Sequence, residues 1–97
     1  MNLSNKREIH RSKPFAKDLK NLPDDVQKQC WKTAILLSEN IFQPKLDIKK
    51  LQGYENVWRV KVKNVYRLVY TFDERKLYLL RISHRKDIYR KPFDRMD

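Results

Sequence analysis

The sequence predicts an α+β fold of order β-α-α-β-β-β, a helical hairpin packed on one face of a small, mainly antiparallel sheet. Three observations predict it. An apolar stripe at helical spacing runs through residues 24–42. Three later segments alternate polar and apolar with period two, and the turns between them are too short for helical crossovers. The helices also precede the strands in a block rather than alternating with them, which argues against a parallel βαβ winding. At 97 residues the expectation is a single domain over 1–97, with its core at about 7–91 and of modest size.

The elements follow in order. "REIHR" (7–11) alternates weakly around Ile9 and reads as an edge strand. "SKPFAKDLKNL" (12–22) reads as a short helix. Ser12 is its N-cap, Pro14 falls in the first turn where a missing N–H costs little, and Phe15, Leu19 and Leu22 make one apolar face. Pro23 ends that helix and can start the next. Asp24 and Asp25 lie at the positive end of the second helix dipole, and Val26, Cys30, Ala34, Leu37 and Ile41 form its buried stripe, flanked by Trp31 and Ile35. Residues 43–56 read as a loop in which Gly53 supplies a positive φ.

"VWRVKVK" (57–63) sends Trp58, Val60 and Val62 one way and Arg59, Lys61 and Lys63 the other. "VYRLVYTF" (65–72) puts Tyr66, Leu68, Tyr70 and Phe72 on one face and Arg67, Val69 and Thr71 on the other, with Asn64 as a tight connection. "DER" (73–75) turns the chain into "KLYLLRIS" (76–83), a third strand of the meander. The helices are expected over Trp58, Val60, Val62, Leu68, Tyr70, Leu80 and Ile82. The opposite face would then show Arg59, Lys61, Lys63, Arg67 and Arg81. "KPFDRMD" (91–97) reads as a short tail.

The chain carries 23 Lys and Arg against 12 Asp and Glu, a formal charge of +11. Such an excess implies a polyanionic partner, nucleic acid first and an acidic protein second. Fourteen of the basic residues lie in 48–97, which has a net charge of +8, against +3 for 1–47. With no long apolar run and no secretory signal pattern, a soluble, cytoplasmic protein with no membrane partner is expected. Cys30 is the single cysteine, so no intrachain disulfide or cysteine-based zinc site is possible, and it reads as a small buried hydrophobe. Two histidines far apart make no metal motif, and one glycine excludes Gly-rich phosphate loops. No metal and no cofactor are expected.

The chemistry-bearing residues are concentrated late. Arg59 and Lys61 emerge about 7 Å apart on one strand face, and Arg67 has the parity to join them from the neighbouring strand. His84, Arg85 and Tyr89 of "SHRKDIYR" leave the third strand, so a short bend would bring them to the same face. Such a cluster holds cations, an imidazole and phenols with almost no carboxylate, which suits binding or metal-free cleavage of a phosphodiester. In RNA the 2′-hydroxyl can attack the adjacent phosphorus, and an enzyme then supplies a base, cations for the transition state and an acid for the leaving oxygen. Arg67 and Arg85 are candidate phosphate clamps, Lys61 a base if neighbouring cations lower its pKa, His84 an acid and Tyr89 a stacking or orienting group. Each has a plain structural alternative: a wet sheet face for the cations, a partner in Asp73 or Glu74 for Arg67, a strand-end cap for His84, and a core plug for Tyr89.

"FAKDLKNLPDDVQKQCWK", "LDIKKLQGYENVWRVKVKNVYRLVYTF" and "ISHRKDIYRK" together resemble the RelE/ParE superfamily of bacterial toxin–antitoxin toxins, over roughly residues 7–91. The resemblance implies the same β-α-α-β-β-β fold. RelE-like members are ribosome-dependent endoribonucleases that cut mRNA in the ribosomal A site and are held inactive by an acidic-tailed antitoxin. ParE-like members share the fold, act on DNA gyrase and generally lack the basic catalytic set. Arg59 and Lys61 match the basic pair of the family's strand, Arg67 its hairpin arginine, and Arg85 and Tyr89 its C-terminal arginine and tyrosine. All five are present, which favours the RNase branch. The resemblance thus implies Lys61, Arg67, His84, Arg85 and Tyr89 as catalytic and Arg59, Lys63 and Arg81 as RNA- or phosphate-binding. Arg59 stands where well-known members have lysine, which implies phosphate binding alone, and the acid is either His84 or Arg85. The implied partners are a cognate antitoxin, the ribosome and mRNA.

Overall fold

The computed structural model describes residues 6–90, so the expected tail at 91–97 lies outside the described residues. The elements are β1 (Glu8–Arg11), α1 (Lys13–Lys20), α2 (Asp24–Glu39), β2 (Ile48–Lys50), β3 (Trp58–Val62), β4 (Tyr66–Phe72), β5 (Lys76–His84) and a 3₁₀ turn (Ile88–Arg90). They form a five-stranded sheet of order β1-β5-β4-β3-β2. β1 runs parallel to β5, and the other pairings are antiparallel. The two helices cover one face.

The helical part matches its sequence signals closely. The Ser12 hydroxyl accepts the Phe15 N–H at 3.1 Å and donates to the Leu80 carbonyl at 3.0 Å, so one side chain caps α1 and ties it to β5. β1 pairs with β5 only through Leu79, and beyond that point α1 takes over its edge. There the Asp18 carboxylate accepts the Ile82 N–H at 3.1 Å, a donor that no strand meets, and two bonds from Arg81. α2 starts after Pro23 and ends at Glu39, three residues short of the expected Phe42. Ile41 is buried all the same, and its carbonyl accepts the Tyr70 hydroxyl at 3.2 Å.

The core between helices and sheet holds Phe15, Leu19, Cys30, Ala34, Leu37 and Ile41 from the helical part against Val60, Val62, Leu68, Tyr70, Leu77, Leu79 and Ile82. Trp58 packs at its margin. Leu80 does not belong to it, contrary to the alternation read from the sequence. A register shift at Val69/Tyr70 pairs Val69 with Arg81 but Tyr70 with Leu79, which leaves Leu80 as the extra residue. The bulge reverses parity along β5. Leu77 and Leu79 therefore face the helices, and Leu80 joins Val69 and Ile88 in a second cluster with Leu51, Val57 and Tyr78.

Two further differences bear on the site. Residues 48–50, expected to lie in a loop, form β2 against β3, with Lys49 opposite Arg59. A three-residue strand is too short to show a periodicity. Lys63 is not part of β3; it and Asn64 have φ of 49° and 63° and make the β3–β4 turn. Both residues lie in the left-handed region that such hairpins need. Among the described residues no helix is long and apolar enough to cross a membrane.

Candidate functional site

The sheet register determines which cations meet. Lys49, Arg59 and Val69 stand in one row across β2, β3 and β4, and Lys61, Arg67 and Ser83 in the next across β3, β4 and β5. Arg59, Lys61 and Arg67 thus share the face away from the helices, as their spacing requires. Arg59 is only 7% exposed and Arg67 9%, low values for guanidinium groups.

Arg67 Nη1 donates to the carbonyls of Asn64 at 2.8 Å and Tyr66 at 3.0 Å. Neither Asp73 nor Glu74 forms an ion pair with it: Asp73 accepts the Arg75 and Lys76 N–H groups of its own turn. Among the described residues Arg67 has no carboxylate partner. A guanidinium has five donors, so carbonyls alone leave both charge and donors for an incoming anion.

Arg59 and Lys61 converge on a carboxylate that their spacing in the sequence does not reveal. Asp47 Oδ2 lies 3.0 Å from Lys61 Nζ, and Asp47 Oδ1 lies 3.3 Å from Arg59 Nη1. The hydrogen bond from Lys61, with the charges of Lys61 and Arg59, holds the Asp47 carboxyl below the usual aspartate range. Asp47 immediately precedes β2, and its carbonyl accepts the Lys61 N–H at 3.2 Å. Reading residues 43–56 as a loop hid this pairing.

The segment after β5 supplies the other side. His84 stands opposite Tyr66, with the rings edge to face at 5.8 Å between centroids. Its parity is therefore that of Tyr66 and the helical face, not that of Arg67 and Ser83. Its Nδ1 accepts the Lys86 N–H at 3.1 Å. The bend thus does not carry the imidazole onto the face of Lys61 and Arg67. Arg85 extends the pairing by one step, its N–H donating to the Val65 carbonyl at 2.7 Å, and has the parity of Ser83. Its side chain is exposed. Ile88, fully buried against Val69 and Leu80, is the plug of this segment. Tyr89, for which a plug was one reading, stands 57% exposed.

Tyr89 and Arg59 line one pocket of about 520 Å³ with Lys49, Lys50 and Tyr54. The lysines and Tyr54 went unnoticed in the sequence; their signal was the basic "IKK" run and a tyrosine directly after the chain's single glycine. Two expected members of the cationic face are taken up by carboxylates of their own. Lys63, displaced into the turn, pairs with Asp25 at 3.1 Å. Arg81 makes a two-bond ion pair with Asp18 at 2.8 and 2.9 Å, both groups largely buried. Arg59 is the member of the Arg59, Lys63 and Arg81 set that lines the groove.

The result is a small α+β protein whose open sheet face carries cations, with a phenol lining a pocket beside them. The ParE toxin family model, described as the toxin of a type II toxin–antitoxin system, matches residues 9–89. The chain is 38% identical over 81 residues to Toxin RelE3 of Methanocaldococcus jannaschii, covering 80% of this chain and 90% of that one. It is 37% identical over 88 residues to the putative toxin RelE1 of the same organism, covering 88% and 94%. The toxin fold recurs in the RelB–RelE antitoxin–toxin complex from Methanococcus jannaschii, with a TM-score of 0.69 at 33% identity over 82% of this chain and 94% of that one. A free-state Escherichia coli RelE variant shares the fold at a TM-score of 0.71 and 20% identity, over 87% and 88%. The chain therefore belongs to the RelE/ParE superfamily of type II toxins, and the curated relatives it matches are of the RelE type.

Proposed function

We propose that the protein is the toxin of a type II toxin–antitoxin pair and acts as a ribosome-dependent endoribonuclease. In this reading it cleaves mRNA in the cytoplasm by attack of the RNA's own 2′-hydroxyl, without a metal, and so inhibits translation. The observation that carries the reading is Arg67, a nearly buried guanidinium held on carbonyls with no acid beside it among the described residues, in register with Lys61. Preorganised cations in a partly desolvated site stabilise the dianionic transition state of phosphoryl transfer. Arg67 and Arg85 clamp the phosphate, and Arg59 binds along the backbone. Lys61 is the base in its neutral form: once it has left Asp47 and given its own proton to solvent, it takes the 2′-hydroxyl proton. Between the two candidate acids the geometry favours Arg85, because His84 has the parity of the opposite face. Tyr89 stacks on an unpaired base. A cognate antitoxin is the expected inhibitor, since solved relatives are complexes of toxin with antitoxin.

The matching family model favours one alternative, a ParE-like toxin acting on DNA gyrase. Incubation with programmed ribosomes and mapping of new mRNA 5′ ends separates the two. The proposal expects discrete cuts in the A-site codon, with Arg85→Ala slower by at least about 100-fold, as for loss of a transition-state donor. Uncut mRNA, together with arrested supercoiling and a DNA-damage response on expression, would establish the gyrase reading instead.

A further inference from the structure

The pocket beside Arg59 has aromatic walls, and the cleavage reading gives a role to only one of them, Tyr89. One is Tyr54, on the β2–β3 connection, 41% exposed. The chain reaches it through Gly53 at φ 87°, a left-handed turn that a side chain would strain. Another is Tyr89, 57% exposed, on the 3₁₀ turn. Residues close to each ring anchor the two segments in the same apolar cluster. Leu51 lies three residues before Tyr54, Ile88 directly before Tyr89, and both pack with Val69 and Leu80. Two segments distant in sequence are thus held at one spacing, each with a phenol ring at one pocket. Arg59 lies between them in sequence, and Lys49 and Lys50 come from the edge strand; no carboxylate is among the described residues lining the pocket.

We propose that this pocket is a nucleotide subsite in which Tyr54 and Tyr89 together hold one unpaired base, and Arg59 with the two lysines takes the adjoining phosphate. The inference rests on RNA as the substrate and adds a second aromatic group and a selection rule. At about 520 Å³ the pocket is of small-ligand size. Stacking on a tyrosine needs an exposed base face, and a duplex covers both faces of each internal base. The subsite therefore selects single-stranded RNA, and it tolerates any base because every base has a π-face.

The test is fluorescence anisotropy on the full-length protein with a labelled single-stranded oligoribonucleotide and a duplex of equal length, at one fixed salt concentration. Tyr54→Ala and Tyr54→Leu are each expected to weaken single-strand binding on the order of 10-fold, the loss of one stacked base. Tyr54→Phe is expected to stay within about 2-fold because it keeps the ring. Duplex affinity should be the same for all four proteins. Tyr54→Leu preserves apolar bulk, so a loss shared by both truncations is not a folding defect. Wild-type binding by Tyr54→Ala overturns the subsite, as does an equal loss on duplex or a Tyr54→Phe protein as weak as Tyr54→Ala. Binding is read without ribosomes, so a Tyr54-dependent single-strand preference would stand even if no mRNA were cut. Ribosomal cleavage with binding indifferent to Tyr54 would sink the subsite and spare the nuclease reading.

Discussion

Asp47 changes how the cations of this site behave as individual residues. Its carboxylate lies 3.0 Å from Lys61 and 3.3 Å from Arg59; under the proposed function a substrate phosphate takes that place, so an incoming anion has to displace it. The Asp47 carboxyl is held low by Lys61 and then Arg59. A depressed carboxyl stays ionised at neutral pH and is neutralised only as pH falls through its lowered value. The competition is thus fully present at physiological pH and lifts only in acid. Asp47→Asn should tighten RNA binding at pH 7 and steepen its salt dependence. The slope of log K against log salt should grow by about 0.7 for each further phosphate of a single strand that the freed cations neutralise. A slope identical to that of the wild type in an anisotropy titration would show that Asp47 does not compete. Arg81 and Lys63 are the contrasting cases. Spacing alone placed both on the open face, but each has its own carboxylate in Asp18 and Asp25. One-dimensional parity does not see such partners, because Asp18 lies 63 residues away along the chain.

At the scale of elements, the long ones were legible and the short ones were not. The α1 cap at Ser12, the Asp pair opening α2 and the alternation in β3 and β4 are repeated or strongly local signals, and the structure carries them as read. β2 has three residues, and the bulge at Val69/Tyr70 adds a single one. Neither leaves a period to detect, yet β2 delivers Asp47 to the cations and the bulge turns Leu80 outward. Leu80 then gives Ile88 something to pack on, which holds the 3₁₀ turn and Tyr89 beside the groove. Ile88→Ala should destabilise the protein by ~2–4 kcal/mol in urea unfolding, as expected for a buried isoleucine that leaves a cavity. It should also weaken RNA binding, since Tyr89 loses its anchor. Loss of stability with unchanged RNA affinity would show that the turn is held by other contacts.

For the whole molecule, Cys30 is a reporter. It is fully buried between α2 and the sheet, and burial pushes its thiol up to about 12. The thiolate is the reactive form, so the native protein should resist an excess of thiol reagent at pH 8, and labelling should proceed only through opening of the core. Ile88→Ala should label faster than wild type, and Tyr54→Ala, which alters an exposed side chain, at the wild-type rate. Rapid labelling of the native wild type would mean that α2 opens locally. The charge of +11 also acts at this scale. It disfavours compaction through self-repulsion and sets up a positive potential that favours the approach of any polyanion.

Readable from the residues alone were the class of fold, the helical hairpin, the meander, the charged open face and the likeness to the RelE/ParE toxins. These rest on periodicity, capping chemistry and net charge, all local or additive along the chain. Strand register and packing were needed to show that, among the described residues, Arg67 stands without an acid while Asp47 sits on Arg59 and Lys61. They also showed that His84 has the parity of the face opposite Arg67, and that Tyr54 and Tyr89 line one pocket. Each of these depends on strand register, on one bulged residue or on a three-residue edge strand. A displacement of one residue there moves a side chain to the other face of the sheet while the composition stays the same.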